Sequence, residues 1–377
     1  MTTNGTADVV VVGGGVMGCA TAWFLAADHG LRSVIVERDA VASGASGGAA
    51  GELGAVGRHR YSIEYTRFLL EGIRMHAEIA ETLVAESGVD YLFSDIPLLR
   101  PALEEHEAVD LQEQMGWQRE IGIDVEWLDE TQVRSLGTWL TEDALGAAYT
   151  VEKQLEAYSF SIALAQACEK RGASIRTAEV NGVLREGDRA CGVTLTSGER
   201  ITAGAVLIAN GPWSQHTSEW LGMEVPVIPL RGQIVHVSPP DGVPMPTHSI
   251  FHETGYVLPK AGGDLLVGTT QERAGFDPYP TMEAQNSILE AVIRFAPNVL
   301  DAPIRDLTAC LRPYSPDEMP ILGPVPGTEA LYLSTGHGYK GITLAIISGK
   351  AMAQQIANGA SDVDITPFSL ARFAEAS

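Results

Sequence analysis

An α/β fold, in which a domain founded on a βαβ unit is interrupted along the chain by an α+β domain with an antiparallel sheet, is what this sequence predicts. Three observations carry it. Residues 8–39 read as a strand, a glycine cluster, a helix and a second strand. Residues 226–275 alternate in strand fashion (QIVHV, GYVLP, DLLVGTT) with prolines at the turns. Residues 331–359 return to a strand, a glycine-rich loop and a helix. A chain of 377 residues, 45% hydrophobic and 19% charged, has the material for two globular domains.

The bulk properties exclude several function classes. A net charge of −23 argues against nucleic acid and anionic membrane surfaces as partners. Lysine is confined to Lys153, Lys170, Lys260, Lys340 and Lys350, a pattern that fits a saline habitat and a solubility strategy equally. Cys19, Cys168, Cys191 and Cys310 share no CxxC spacing, so neither a metal site nor a disulfide scaffold is expected. The leader MTTNGTAD lacks the basic residues of a secretory signal. Residues 9–27 carry no charge, but their four glycines fit a strand, turn and helix better than a membrane span. A cytoplasmic protein without membrane insertion is expected, and a homo-oligomer is left open.

The amino-terminal element begins with the β-branched run Val9–Val12 and enters Gly13-Gly14-Gly15-Val16-Met17-Gly18, from which a helix runs to about Ala27. A second strand, Ser33–Val36, ends at Glu37. A GxGxxG that follows a strand, opens a helix and precedes an acid by about twenty residues is a dinucleotide site. Gly13 permits the tight turn, Gly15 lets a pyrophosphate approach the backbone, and Gly18 lets the helix pack on the strand. The helix N-terminus offers N–H groups and partial positive charge to the phosphates. Glu37 is expected to accept from the adenosine ribose.

Downstream, Ser62 to about Ala85 fits a helix with one buried face, as do 104–121 and 129–136, the latter opened by an Asp129/Gln132 capping box. A helix over 159–171 precedes the short strands in SIRTAEV, ACGVTLTSG and AVLIANG, and another covers 282–295. In the closing segment Thr343 is expected to start a helix that runs to Asn358 and stops at Gly359.

Residues 43–51, SGASGGAAG, are small and can wrap a pyrophosphate and lie against a flat ring. With the glycine cluster and Glu37, this segment resembles the amino terminus of the D-amino-acid oxidase superfamily of flavoenzymes, which includes glycine oxidases, sarcosine oxidases and D-amino-acid dehydrogenases. The resemblance implies FAD, held by a discontinuous Rossmann-like domain over 1–84, 150–225 and 306–377, with a substrate domain over 85–149 and 226–305. It implies cofactor contacts from Val16, Met17, Arg38, Ser43, Gly44 and Ser46, from the Val180 backbone beside the adenine, and from Gly211. ACLRPYSPDEMPILGPVPG and LYLSTGHGYKGITLAIISG resemble the stretch that leads into the flavin loop of that superfamily. Gly338, Gly341, Ile342 and Thr343 then face the flavin, and the helix N-terminus stabilises negative charge on the reduced ring. His337 and Lys340 add positive charge there, or Lys340 is a solvated side chain.

In the glycine oxidase branch the LRP arginine grips the substrate carboxylate, and Arg312 stands at that position; a planar fork matches a carboxylate. An internal ion pair is the competing reading. Tyr256 matches a tyrosine that faces the substrate, or is a core-edge residue. His252 and His59 are weaker pocket candidates. Cys310 departs from the branch, which has glycine here. Its spacing to Pro316 and Asp317 resembles that of the cysteine carrying covalent flavin in sarcosine oxidases, against which stands a small buried thiol. The lysine that sarcosine oxidases use towards oxygen has no counterpart in DLLVGTT.

The resemblance implies oxidation of a small amine or amino acid, with oxygen or another electron acceptor. A dehydrogenase subunit passing electrons to a partner or quinone is the alternative. No dedicated base is expected, on the premise of an apolar pocket that keeps the amine neutral.

Overall fold

The computed structural model describes residues 7–55, 61–137 and 139–376; His59 lies outside them. Among the described residues an eight-stranded and a nine-stranded sheet organise the chain. Val9–Val12 are buried on both faces, as a central parallel strand requires. Ala7–Val12 accordingly pairs in parallel with Ser33–Glu37 on one side and Arg200–Ile208 on the other. Ser174–Thr177 and Leu331–Thr335 extend the parallel array outward, and Ile321–Pro324 closes one edge antiparallel.

The two faces of this sheet bury different partners. Val9 and Val11 share a core with the helices Val16–His29, Ile63–Ser87, Ala157–Lys170 and Gly341–Asn358. Val10 and Val12 pack with the hairpin Val180–Glu186/Arg189–Leu195. The uncharged run from residue 9 is thus a strand, a turn and a helix. Among the described residues no helix is long and apolar enough to cross a membrane.

Local signals place the helix ends. Ser62 Oγ accepts from the Tyr65 N–H at the start of Ile63–Ser87, and Gly88 ends it in the left-handed region. Asp129 and Gln132 make both bonds of the capping box. Thr343 does not start the last helix. The 3₁₀ turn Gly338–Lys340 runs directly into Gly341–Asn358, so Thr343 lies buried in its first turn, while Gly359 closes it as expected.

In the second sheet Ile228–Val237 pairs with Ile304–Tyr314 over their full length. Leu265–Gly268, Gly255–Pro259 and Ser249–His252 follow antiparallel, then Ser94–Ala102 parallel and Gly146–Gln154 antiparallel. The short strand Glu52–Leu53 pairs with Gly146–Gln154, and so does Val125–Asp129. Gly146–Gln154 and Ile304–Tyr314 run across positions 150 and 306, where the sequence suggested domain boundaries. Helix Met282–Ile293 covers one face through Ile288 and Val292. The other face turns Ile234, Tyr256, Leu258 and Leu266 toward the first sheet's segment at Ala50.

Helices Val16–His29 and Gly341–Asn358 cross tightly at Gly349, where a Cβ would lie 2.6 Å from Ala20 Cβ. Gly349→Val is expected to overpack this contact at about 1–3 kcal/mol. A fall in thermal midpoint of several degrees, followed by circular dichroism, checks it.

Candidate active site

A cavity of about 900 Å³ lies between the two sheets, near the upper end of the range for ligand sites. Its first wall is the glycine cluster and the two helix N-termini that open on it, at Val16 and at Gly341–Ile342. Gly13 holds φ +112°, and a Cβ there would lie 2.4 Å from the Ala209 carbonyl oxygen, so only glycine makes this turn. A Cβ on Gly18 would meet the Gly13 carbonyl oxygen at 2.1 Å. Gly18 therefore serves helix packing and, like Thr343, does not line the cavity; every other cofactor candidate from the sequence does.

Glu37 Oε2 accepts from Gly14 N–H at 2.7 Å and Oε1 from Asp39 N–H at 2.9 Å, which fixes the carboxylate at the strand end. Arg38 lies over the Trp213 ring at 4.8 Å, and Trp213 also flanks Gly44. Ser46 Oγ accepts from Val16 N–H at 3.1 Å, joining the segment 43–51 to the helix N-terminus. Ser43, Val180 and Gly211 complete this wall.

The segment is fastened at its far end as well. Gly51 has φ +80°, and a Cβ would lie 2.0 Å from the Leu155 carbonyl oxygen. Lys260 Nζ donates to the carbonyls of Ala50 and Leu155 at 3.0 and 2.8 Å. Lys340 Nζ donates to the Gly54 carbonyl at 2.8 Å while lining the cavity. His337 does not supply the positive charge expected of it. It is buried against Ser348, and burial pushes its pKa down to about 3, so the ring is neutral.

The second wall holds the substrate candidates. Cys310, Arg312 and Tyr314 alternate along Ile304–Tyr314, so they share one face. A Cβ on Gly232 would lie within 2.1 Å of the Arg312 guanidinium; the strand carries glycine where the arginine crosses it. Arg312 donates to Thr269 Oγ1 at 2.9 Å and to the Thr270 carbonyl at 3.1 Å, and lies 5.2 Å from the Tyr339 ring. Among the described residues it has no ion-pair partner, so the competing reading of an internal salt bridge fails. A Cβ on Gly268 would likewise meet the Tyr256 ring and hydroxyl at 2.4–2.5 Å. Tyr256 is buried, stacks on Phe251, and burial raises its pKa, with Arg312 pulling the other way.

Tyr314 lies at the end of this face. It donates to Glu318 and sets its ring edge-on to Tyr339, which bears in turn on Arg312. Cys310 Cβ would be 2.8 Å from a Cβ on Gly48, so the thiol faces the segment 43–51, and burial raises its pKa. His252 lines the cavity but is held by Glu107 at 3.1 Å and Thr254 at 2.9 Å.

Sequence reasoning missed two carboxyls. Glu52 and Glu152 both line the cavity wall, and both pKa values are raised, mainly by burial, with the Glu152 charge raising Glu52 further. Lys340 opposes the shift at both, and Arg100 at Glu152. The signal was a lone carboxylate, Glu52, among glycines and alanines immediately after 43–51. Gly232 and Gly268, glycines within strands, were the other unread signal.

The fold and the cavity define a flavin-dinucleotide oxidoreductase. The glycine turn, the two helix N-termini and the small-residue segment fit FAD, with Glu37, Ser46, Gly341 and Ile342 placed to hold it. Residues 8–355 match the DAO family, described as FAD dependent oxidoreductase, and the chain belongs to that family. It is 31% identical over 369 residues to the glycine oxidase of Geobacillus kaustophilus (strain HTA426), covering 97% of each chain. It is 26% identical over 407 residues to Hydrogen cyanide synthase subunit HcnC of Pseudomonas protegens, covering 98% of this chain and 97% of the other. The crystal structure of glycine oxidase from Geobacillus kaustophilus superposes with a TM-score of 0.91 at 30% identity, covering 97% and 98% of the two chains.

A raised carboxyl pKa means that the folded chain binds protons the unfolded chain has released. The pair's contribution to stability therefore falls as pH rises from the ordinary carboxylate range through the raised values. Glu52→Gln removes the charge, so its gain in thermal midpoint over the parent is expected to grow between about pH 5 and about pH 8. Paired melts across that range measure it.

Proposed function

We propose that the chain oxidises the C–N bond of a small amino acid or secondary amine bearing a free carboxylate. The observation that carries the reading is Arg312: a cation without an ion-pair partner among the described residues, seated over Gly232 and turned into the cavity beside Tyr256. A guanidinium bonded only to neutral acceptors is poised for a carboxylate, which it takes in a bidentate pair. Thr269 and Thr270 hold the fork, Tyr339 covers it, and the Tyr256 hydroxyl, kept protonated by burial, is a second donor. Carboxylate capture fixes the α-carbon, and orientation of this kind supplies a large share of a rate enhancement. The chemistry FAD supplies when bound is acceptance of a hydride from that carbon. The helix N-terminus at Gly341 and the Lys340 ammonium favour negative charge at the cofactor end of the cavity. The glycine oxidases among its relatives support the substrate class.

A second reading, a subunit that passes electrons to a partner or quinone, is favoured by the full-length likeness to HcnC. Peroxide formation against dye reduction, over glycine, sarcosine, proline and D-amino acids, separates the two.

Arg312→Ala is expected to raise KM for carboxylated substrates roughly 10- to 100-fold, the loss of a charge-assisted pair. Gly232→Ala is expected to act in the same direction by displacing the guanidinium. An unchanged KM in both variants would falsify the carboxylate role.

FAD is expected to be non-covalent, because burial keeps Cys310 as a thiol and the thiolate is the reactive form. Acid precipitation of the loaded protein then gives a colourless pellet. A yellow pellet that Cys310→Ser abolishes identifies a thioether instead.

A further inference from the structure

We propose that the Glu52–Glu152 pair is the amine site: it receives the substrate as its ammonium ion and removes one proton before the C–H bond breaks. This rests on the amino-acid reading above and replaces the apolar pocket expected from the sequence.

Both side chains line the cavity that contains Arg312 and Tyr256. They come from distant parts of the chain. Glu52 opens the short strand that pairs with Gly146–Gln154, and that strand carries Glu152. Glu152 is 9% exposed, and a Cβ on Gly54 would meet its carboxylate at 2.4 Å, so glycine again makes the room. Glu52 Oε1 is shielded from solvent and, among the described residues, has no hydrogen-bond donor. A buried carboxyl oxygen left without a donor is costly unless a donor arrives, and an ammonium brings three. The charge of Glu52 is felt at the Tyr256 hydroxyl, which also feels Arg312, so the pair belongs to the substrate end.

The groups facing the pair are Lys340 from the turn before the last helix, Arg100 from Ser94–Ala102, Lys260 beyond Gly255–Pro259, and Tyr256. Arg100 donates to Gln114 at 3.0 Å, Lys260 to two carbonyls, and Lys340 to the Gly54 carbonyl. Two carboxyls in one site share a proton and carry one negative charge between them. The step balances simply: an N–H bond of the ammonium breaks, an O–H bond forms on the pair, and the amine recovers its lone pair. No electrons are exchanged. That lone pair is what forms the C=N bond as hydride leaves carbon, and an ammonium lacks it. Burial favours the neutral, doubly protonated pair, which makes it a stronger base than an exposed carboxylate.

The test is anaerobic flavin reduction by the FAD-loaded protein, as wild type, Glu52→Gln and Glu152→Gln, with the best amino acid of the panel across roughly pH 6–10. The wild type is expected to depend weakly on pH. The variants are expected to follow the free-amine fraction, running at least about tenfold slower near pH 7 and converging with wild type at high pH. Flavin-spectral titration with glycolate, a carboxylate without an amine, is expected to give an unchanged Kd in both variants. Infrared spectra at neutral pH are expected to show a protonated-carboxyl band that Glu52→Gln removes. Parallel pH slopes in a reducible wild type, weakened glycolate binding, or absence of the band overturns the amine role alone. A wild type that no amino acid reduces overturns the function proposed above together with it.

Discussion

The guanidinium of Arg312 occupies the volume that a side chain at position 232 would need, and the cavity's second wall depends on that one steric fact. The pairing of Ile228–Val237 with Ile304–Tyr314 sets Gly232 opposite Cys310, one step from the arginine on the same strand face. Gly268 makes the same concession to Tyr256, and Gly48 to Cys310. Three glycines on three separate segments thus give three cavity-lining side chains their places. Glycine weakens a strand, and here the long ladder on either side of it offsets that loss.

What was legible in the sequence was local. The β-branched run before Gly13, the Asp129/Gln132 box and the Gly359 stop each depend on neighbours a few residues away, and each stands in the structure. Arg312 was legible through the proline that follows it and through resemblance. The Glu52–Glu152 contact was not, because a strand of two residues pairs with a partner about a hundred positions later. His337 misled for a related reason: a histidine in a glycine loop looks accessible, and only tertiary burial makes it neutral. Thr343 misled because a preceding 3₁₀ turn, invisible to capping rules, advanced the helix start to Gly341.

The cavity is electrostatically richer than the acidic chain around it. Against a net charge of −23, its wall gathers Arg312, Lys340 and Arg100 with two carboxyls. Clustering of this kind sets opposite charges close together inside a buried volume, a local field that the net charge does not describe.

Lys260 has a mechanical consequence. Its ammonium stands beyond a strand of the second sheet yet is bonded to the carbonyls that end the cofactor segment, while Ser46 bonds that segment to the first helix. The two sheets are therefore stitched across the cavity through the backbone that touches the cofactor. A hinge that opened them would have to strip a buried lysine of its acceptors. Helix Glu105–Glu120, which lines the same cavity through Glu107, Leu111 and Gln114, carries no such bond to the cofactor segment among the described residues.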